Sequence, residues 1–328
     1  MSDVKKAAGA DVKKKRLQSQ ILVIAIIAVI CVICHFLTGG RLLMPTNIKT
    51  ILMQWTYPLL VGLGMMFIFT SGMIDLSIGA QLILAGNVGA ILVEDFGLGY
   101  VGLIIGTVAT LVVCELLSAS CSTFLGIPSW VAGLGAALVY EAIGTIVTSV
   151  RAKTAGTSVV YLKHCRNLGT FPWICIIALI LFVIAFFLFN RSTLGFNLRA
   201  VGSSPEVAEA MGIKRKKTIM IAALIGAVIL GISAITQMSY TGRYTAMSGM
   251  GSLSGIFKAL ATILFAGSFS KIFSDPVGVA VGSFIITILF NILTLFGVPS
   301  GTYQEMCLGA VVILCGILSS FKNKGVVK

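Results

Sequence analysis

Residues 71–81 read Ser-Gly-Met-Ile-Asp-Leu-Ser-Ile-Gly-Ala-Gln, and they place an ionisable side chain, Asp75, in some of the most apolar sequence of the chain. A carboxylate in such a setting must be screened, protonated or used. Ser77 follows two residues later, then Gln81 and Asn87. At a helix start, Asp75 or Ser77 can accept main-chain N–H bonds and meet the positive end of the helix dipole. Two roles are therefore open to Asp75 and are compatible: a cap that holds a broken helix, and a contact for a passing solute.

The other residue types that do chemistry form no constellation. Glu115, Glu141 and Glu305 lie singly in apolar runs, where a helix–helix hydrogen bond or a protonated, packed acid is the expected role. There are two histidines, His35 and His164, and no H-E-x-x-H, so no metal site is expected. No Ser-His-Asp set can be assembled, the serine in 251–255 is misplaced for G-x-S-x-G, and no phosphate-cradling G-x-x-x-x-G-K-[ST] occurs. An enzyme is not expected. Of the eight cysteines most sit in apolar runs as small hydrophobes, Cys31 and Cys34 included, and Cys165, in a polar loop, is the candidate reactive thiol.

These residues are carried by a membrane-spanning chain. The 328 residues are 57% hydrophobic and only 11% charged, with a mean hydropathy of +1.04; a soluble domain carries roughly 25% charged residues. The first 20 residues are polar and lysine-rich, unlike a secretory signal. Apolar segments fall at about 20–38, 51–70, 74–93, 100–122, 129–150, 172–190, 218–237, 254–270, 276–296 and 304–321, which predicts an all-α polytopic protein of about ten spans. The segments at 74–93 and 254–270 carry polar interruptions and are the expected irregular ones. The net charge of +13 sits at the ends of apolar runs rather than among aromatics, so no nucleic-acid partner is expected and membrane lipid is. With both termini in the cytoplasm, 16 of the 24 Lys and Arg residues fall on inner loops; four of the others (Arg151, Lys153, Lys163, Arg166) share one outer loop at 151–170.

Two pairs of segments match in order. Ser71-Gly72-Met73 with Leu76-Ser77 corresponds to Ser248-Gly249-Met250 with Leu253-Ser254, and Gly126-Ile127-Pro128-Ser129 corresponds to Gly297-Val298-Pro299-Ser300. This predicts two related halves of five spans each, the second inverted because five is odd, with their irregular elements beside a central path. Ser252 takes the place of Asp75 in the second half. The candidate pathway residues are accordingly Asp75, Ser77, Gln81, Asn87, Ser252, Ser254 and Asn291. The chain divides into a basic tail (1–19), a first repeat (20–190), a polar inner loop (191–217), the remainder of the second repeat (218–321) and a short tail (322–328).

The inner loop predicts a short helix over 205–211. Ser204 suits its N-cap, Pro205 its first position, Glu206 its positive end and Gly212 its stop. Val207, Ala208, Ala210 and Met211 give it an apolar face, used either for packing on the chain itself or for docking a cytosolic partner.

The stretch "GMIDLSIGAQLILAGNVGA" resembles the G-G-I-D-L-S-V-G-S signature of the inner-membrane permeases of ribose-type ABC importers. "LRAVGSSPEVAEAMGIKRKK" is similar to their cytoplasmic coupling segment and "TYQEMCLGAVVILCGIL" to their last span. The resemblance runs from about residue 20 to near the end. It implies the vitamin-B12-type permease architecture and import of a monosaccharide or related small polar solute across a bacterial cytoplasmic membrane. It also implies two permease copies, expected as a homodimer, with a cytosolic ATP-binding subunit that uses ATP and magnesium, and an extracytoplasmic solute-binding protein. No cofactor would be bound by this chain. Ser203, Ser204, Pro205, Glu206, Ala208, Met211 and Gly212 would form the coupling segment. Here Met73 replaces the second glycine of the signature, Ser204 replaces the usual asparagine, and 248–276 lacks the expected glycine-rich form. The alternative is an ion- or proton-coupled secondary transporter, which inverted repeats and Asp75 would also suit.

Overall fold

A computed structural model describes residues 2–270, 272–299 and 301–323. Lys271, Lys324 and Lys328, counted above among the inner cations, lie outside the described residues. The helices are α1 (Ser2–Leu37), α2 (Pro45–Thr70), α3 (Ile78–Glu94), α4 (Gly99–Leu125), α5 (Ser129–Ala155), α6 (Trp173–Arg191), α7 (Thr193–Ser203), α8 (Pro205–Ala210), α9 (Arg215–Thr241), α10 (Phe257–Ser268), α11 (Asp275–Leu295) and α12 (Thr302–Asn323). Strand β1 (Val160–Tyr161) pairs antiparallel with β2 (Arg243–Tyr244). Each of the ten apolar segments falls mainly in one helix, with 74–77 extended and 254–256 in a 3-10 turn, and the inner loop supplies α7 and α8. Among the described residues eight helices can cross a membrane by length and composition, while α3 and Tyr303–Leu314 of α12 are shorter apolar stretches. The chain is thus an all-helical polytopic membrane protein. The basic tail is helical from Ser2 and runs without a break into the apolar part of α1, Leu17–Leu37.

Two compact units emerge: Met1–Trp55 with Ala261–Lys328, and Thr56–Leu260. In the first, Leu42, Ile51, Ile288 and Ile292 form one core cluster and Ala261, Ile286, Phe290 and Leu308 another. Trp55 donates its indole N–H to Ser283 Oγ at 2.8 Å.

The second unit is built around α3. That helix touches α4, α5, α9, both strands and the 3-10 turn at Gly251–Ile256. Most of its residues are buried all round its circumference, as expected of a helix that is apolar on every face. Its 17 residues extend about 25 Å, short of the roughly 30 Å hydrocarbon layer. The extended segment 71–77 makes up the difference. Along it burial alternates: Ser71, Met73, Asp75 and Ser77 point inward, while Gly72 and Ile74 face outward. A period of two puts the polar side chains against protein and the isoleucine outside.

The turn between α3 and α4 is tied to the distal end of α5. Arg151 clamps Asp95 with two bonds, Nε to Oδ2 at 2.7 Å and Nη2 to Oδ1 at 2.8 Å. Glu94 Oε1 accepts the main-chain N–H groups of Lys163 and His164. Arg166 donates to the carbonyls of Ser239 and Tyr240 at the end of α9, where a cation suits the negative end of the helix dipole. Two cations of the 151–170 loop thus have structural employment.

Candidate functional site

Asp75 closes the turn before α3. Its Oδ1 accepts the Ser77 main-chain N–H and the Ser77 hydroxyl, both at 2.7 Å, and its Oδ2 accepts from Gln81 Nε2 at 3.3 Å. Of the two candidate caps, Asp75 binds the main-chain N–H of Ser77, just before α3, and neither side chain caps α3 itself. Ser77 stands at the N-cap position, but its hydroxyl caps nothing and is turned to Asp75. The same Gln81 nitrogen lies 2.8 Å from Ser77 Oγ and 3.0 Å from Glu115 Oε2 on α4. Ser77 Oγ also meets Ser118 Oγ at 3.2 Å, and Ser118 meets the Tyr140 hydroxyl at 3.1 Å. That hydroxyl ends the chain by donating to the Cys114 carbonyl at 2.7 Å. Asp75 is 2% exposed, and Gln81 and Glu115 are 0% exposed. One polar network therefore joins the turn, α3, α4 and α5 in the unit's interior. Gly133 of α5 lets the turn approach: a Cβ there would lie 2.7 Å from the Leu76 nitrogen and 2.9 Å from Asp75 Oδ1.

The second irregular segment meets α3. Residues 251–256 form a 3-10 turn before α10, and a side chain on Gly79 would run into the Ser252 carbonyl. Further along α3, a side chain on Gly86 would lie 2.5 Å from the Tyr244 ring. The stretch 244–252 therefore lies alongside α3. Glu141 of α5 holds it with one oxygen on each of two main-chain N–H groups, Met250 and Ser252, at 2.8 Å. Matched glycines share an unusual backbone: φ is +86° at Gly72 and +67° at Gly249, and +70° at Gly126 and +77° at Gly297.

The candidate pathway residues separate into groups. Asp75, Ser77 and Gln81 share the network above. Ser252 is buried, with its hydroxyl unpartnered. Ser254 is exposed and bonds back to the Gly251 carbonyl at 3.0 Å. Asn87, 1% exposed, has no hydrogen-bond partner for either amide atom. Asn291 belongs to the other unit and exchanges two amide bonds with Asn47, at 2.9 and 3.1 Å.

At the end of the unit where α2 stops, the loop 122–129 and the α7–α9 segment enclose a cavity of about 600 Å³. Ser71, Gly72 and Met73 line it, with Pro205, Glu209, Arg215 and Lys216 opposite. Gly202 packs so closely on the Thr70 carbonyl that no side chain fits there. The helix predicted at 205–211 is α8, and Gly212 follows it at φ +81°. Ser204 has the extended backbone of an N-cap and its carbonyl accepts the first helical bond, from the Ala208 N–H, but its side chain caps nothing. Of the apolar face only Ala208 is buried, leaving Val207 56% and Met211 59% exposed, one turn apart. Ser203 and Glu206 are exposed as well.

Three further expectations need correcting. Cys165 is not activated: burial first, and the neighbouring Glu94 carboxylate second, push its thiol above the ordinary range, which favours the unreactive form. Glu305 is exposed on the first turn of α12 rather than packed. Glu141 binds a loop rather than another helix. Glu115, Ser118 and Tyr140 enter the site from helices whose spacing in sequence gave no sign of it. Among the described residues no group of three or more His, Cys, Asp or Glu side chains is placed to hold a metal ion.

The chain is similar to named transport proteins over most of its length. It is 28% identical to the D-allose transport system permease protein of Escherichia coli, covering 86% of each chain. It is 24% identical to the galactose/methyl galactoside import permease protein of the same organism, over 84% of this chain and 87% of that one. With the xylose transport system permease protein of Haemophilus influenzae it shares 22% identity over 95% and 99% of the two chains. No solved structure matches significantly. Residues 47–316 match the family described as the permease component of the branched-chain amino acid transport system, and the chain belongs to that permease family.

Proposed function

We propose that this chain is the membrane subunit of an ABC importer for a monosaccharide or a closely related small polar solute. Relatives spanning nearly the whole chain are named for allose, galactose and xylose, which favours a sugar over the amino acid of the family's description. In this reading two copies of the chain form the permease, in a bacterial cytoplasmic membrane with both termini inside. Each copy has ten crossings in two inverted five-helix halves. A solute-binding protein delivers the solute from outside, and a cytosolic subunit hydrolyses ATP with magnesium. The matched positive φ values at Gly72 and Gly249, and at Gly126 and Gly297, support the two-half architecture.

The observation that carries the mechanism is the contact between the first turn of α3 and the 3-10 turn, with Gly79 against Ser252 and Glu141 clamping the latter. Polar, non-helical backbone at membrane depth is tolerated where it is buried in protein or lines a water-filled path, and alternating access rocks such elements about a fixed site. Asp75, Ser77, Gln81, Asn87, Ser252 and Ser254 shape that path. Asn87 fits the part, because a buried amide with both groups unpaired by protein can take a polar visitor as its partner. At the cytoplasmic end, Ser203 to Gly212 couples the path to the ATPase through Val207 and Met211.

The test is reconstitution of the chain with its ATPase and binding protein in proteoliposomes. Uptake of a radiolabelled sugar that requires internal ATP and ignores an uncoupler is the expected result. Uptake that collapses with the uncoupler and proceeds without the ATPase would sink the reading.

A further inference from the structure

Glu115 has no part in the transport scheme above, yet it is among the most deeply buried ionisable groups of the second unit. Its Oε2 and the Oδ2 of Asp75 both accept from the single nitrogen of Gln81, at 3.0 and 3.3 Å, so the two carboxyls lie side by side. An ionised carboxylate only accepts, so two neighbouring carboxyl groups can bind each other only with a proton on one of them. The groups facing the pair are Ser77 from the turn, Gln81 from α3, Cys114 and Ser118 from α4 and Tyr140 from α5; none is a cation. Glu141, the next acid on α5, is turned away to Met250 and Ser252. Two negative charges at this depth with no counter-charge would be very costly.

The geometry also says which acid carries the proton. Asp75 Oδ1 accepts both the Ser77 N–H and the Ser77 hydroxyl at 2.7 Å, and Asp75 precedes the N-terminus of α3, whose dipole favours negative charge. Glu115 lies mid-helix, accepts one bond, and its Oε1 has no partner.

We propose that Asp75 and Glu115 form a proton-binding site holding one proton, carried by Glu115 and donated to Asp75. Glu115 is a positioning residue: through that proton α4 grips the turn whose Ser71–Met73 end lines the cavity beside α8. The inference does not depend on which solute is carried.

Infrared spectroscopy of the full-length chain in nanodiscs reads the proton directly. A protonated-carboxyl C=O band at neutral pH that disappears in Glu115→Gln is the expected result. No such band in the native protein, or a band that survives Glu115→Gln, overturns the proposal. Reconstituted uptake reads the positioning role. Glu115→Gln keeps a donor toward Asp75 and should stay within about twofold of native, whereas Glu115→Ala, which strands Asp75, should lose about tenfold or more. Loss on that scale in a Glu115→Gln protein of native melting temperature would refute the positioning role.

Discussion

Glu141 gives one carboxylate oxygen to the Met250 N–H and the other to the Ser252 N–H, both at 2.8 Å. A side chain of α5 thereby does for residues 250–252 what a cap does for a helix: it satisfies donors that the local backbone leaves open. Glu141→Gln puts an NH2 group against one of those N–H groups. The expected result is a loss of about 1–3 kcal/mol of stability and a matching fall in uptake. Thermal melting and reconstituted transport measure the two, and an unchanged protein would show that the clamp carries no weight.

Gly79 is the point where α3 and the 3-10 turn touch. Gly79→Ala drives a methyl group into the Ser252 carbonyl and should cost roughly 1–3 kcal/mol, as overpacking does, with transport falling as well. Gly135→Ala is the control, since nothing lies within 4 Å of a Cβ there. Equal behaviour of the two variants in melting and uptake would contradict close packing at Gly79.

Asn87→Leu tests the path. The change removes two buried unsatisfied groups, so melting temperature should hold or rise, while uptake should fall about tenfold or more if solute meets the amide. Native uptake in a stabilised variant would take Asn87 off the path.

On α8, Glu206→Arg combined with Met211→Asp reverses the charge and polarity of an exposed surface. Co-purification of the ATPase and uptake should both be lost, and membrane insertion should survive. Normal transport in the double variant would refute docking through this helix.

The Asp95 carboxyl is held below the usual carboxylate range, first by the bonds from Arg151 and also by its charge, against a smaller opposing effect of burial. A depressed acid adds stability above its unfolded pKa of about 3.9 and loses it as pH falls through the lower folded value. For this partly exposed pair, of which Asp95 retains 33% side-chain exposure, the contribution is about 1 kcal/mol or less and weakens with salt. Melting curves from pH 6 down to pH 3 should show an acid-dependent loss that Asp95→Asn reduces. An identical acid dependence in the variant would remove the pair from the account.

The apolar runs made the helices legible, because helices of a bilayer need long uninterrupted apolar stretches. The turn before α3, the irregular entry to α10 and the bounds of α8 were legible too, since glycine, proline and polar residues punctuate them locally. Partnerships between distant residues were not. Gln81 meets Glu115 across 34 residues and Glu141 meets Ser252 across 111, and no periodicity within one helix encodes a neighbour on another. Ser204 and Ser77 were sound N-cap choices by residue type. Their side chains cap nothing: the Ser77 hydroxyl is turned to Asp75, and that of Ser204 makes no cap bond. Cys165 read as reactive because its loop is polar, but it packs against the cluster of Ala90, Leu103, Val160 and Met238.

Because α3 is enclosed on every side, its covering always arrives late. Asp75, Ser77, Gln81 and Asn87 leave the ribosome before Glu115, Ser118, Tyr140 and the 244–252 stretch that will surround them. The insertion machinery must therefore accept a short, polar-studded segment ahead of its partners. α3 reaches its final depth only as α4, α5 and α9 are threaded in, so damage to those later helices should surface first as failed biogenesis of α3.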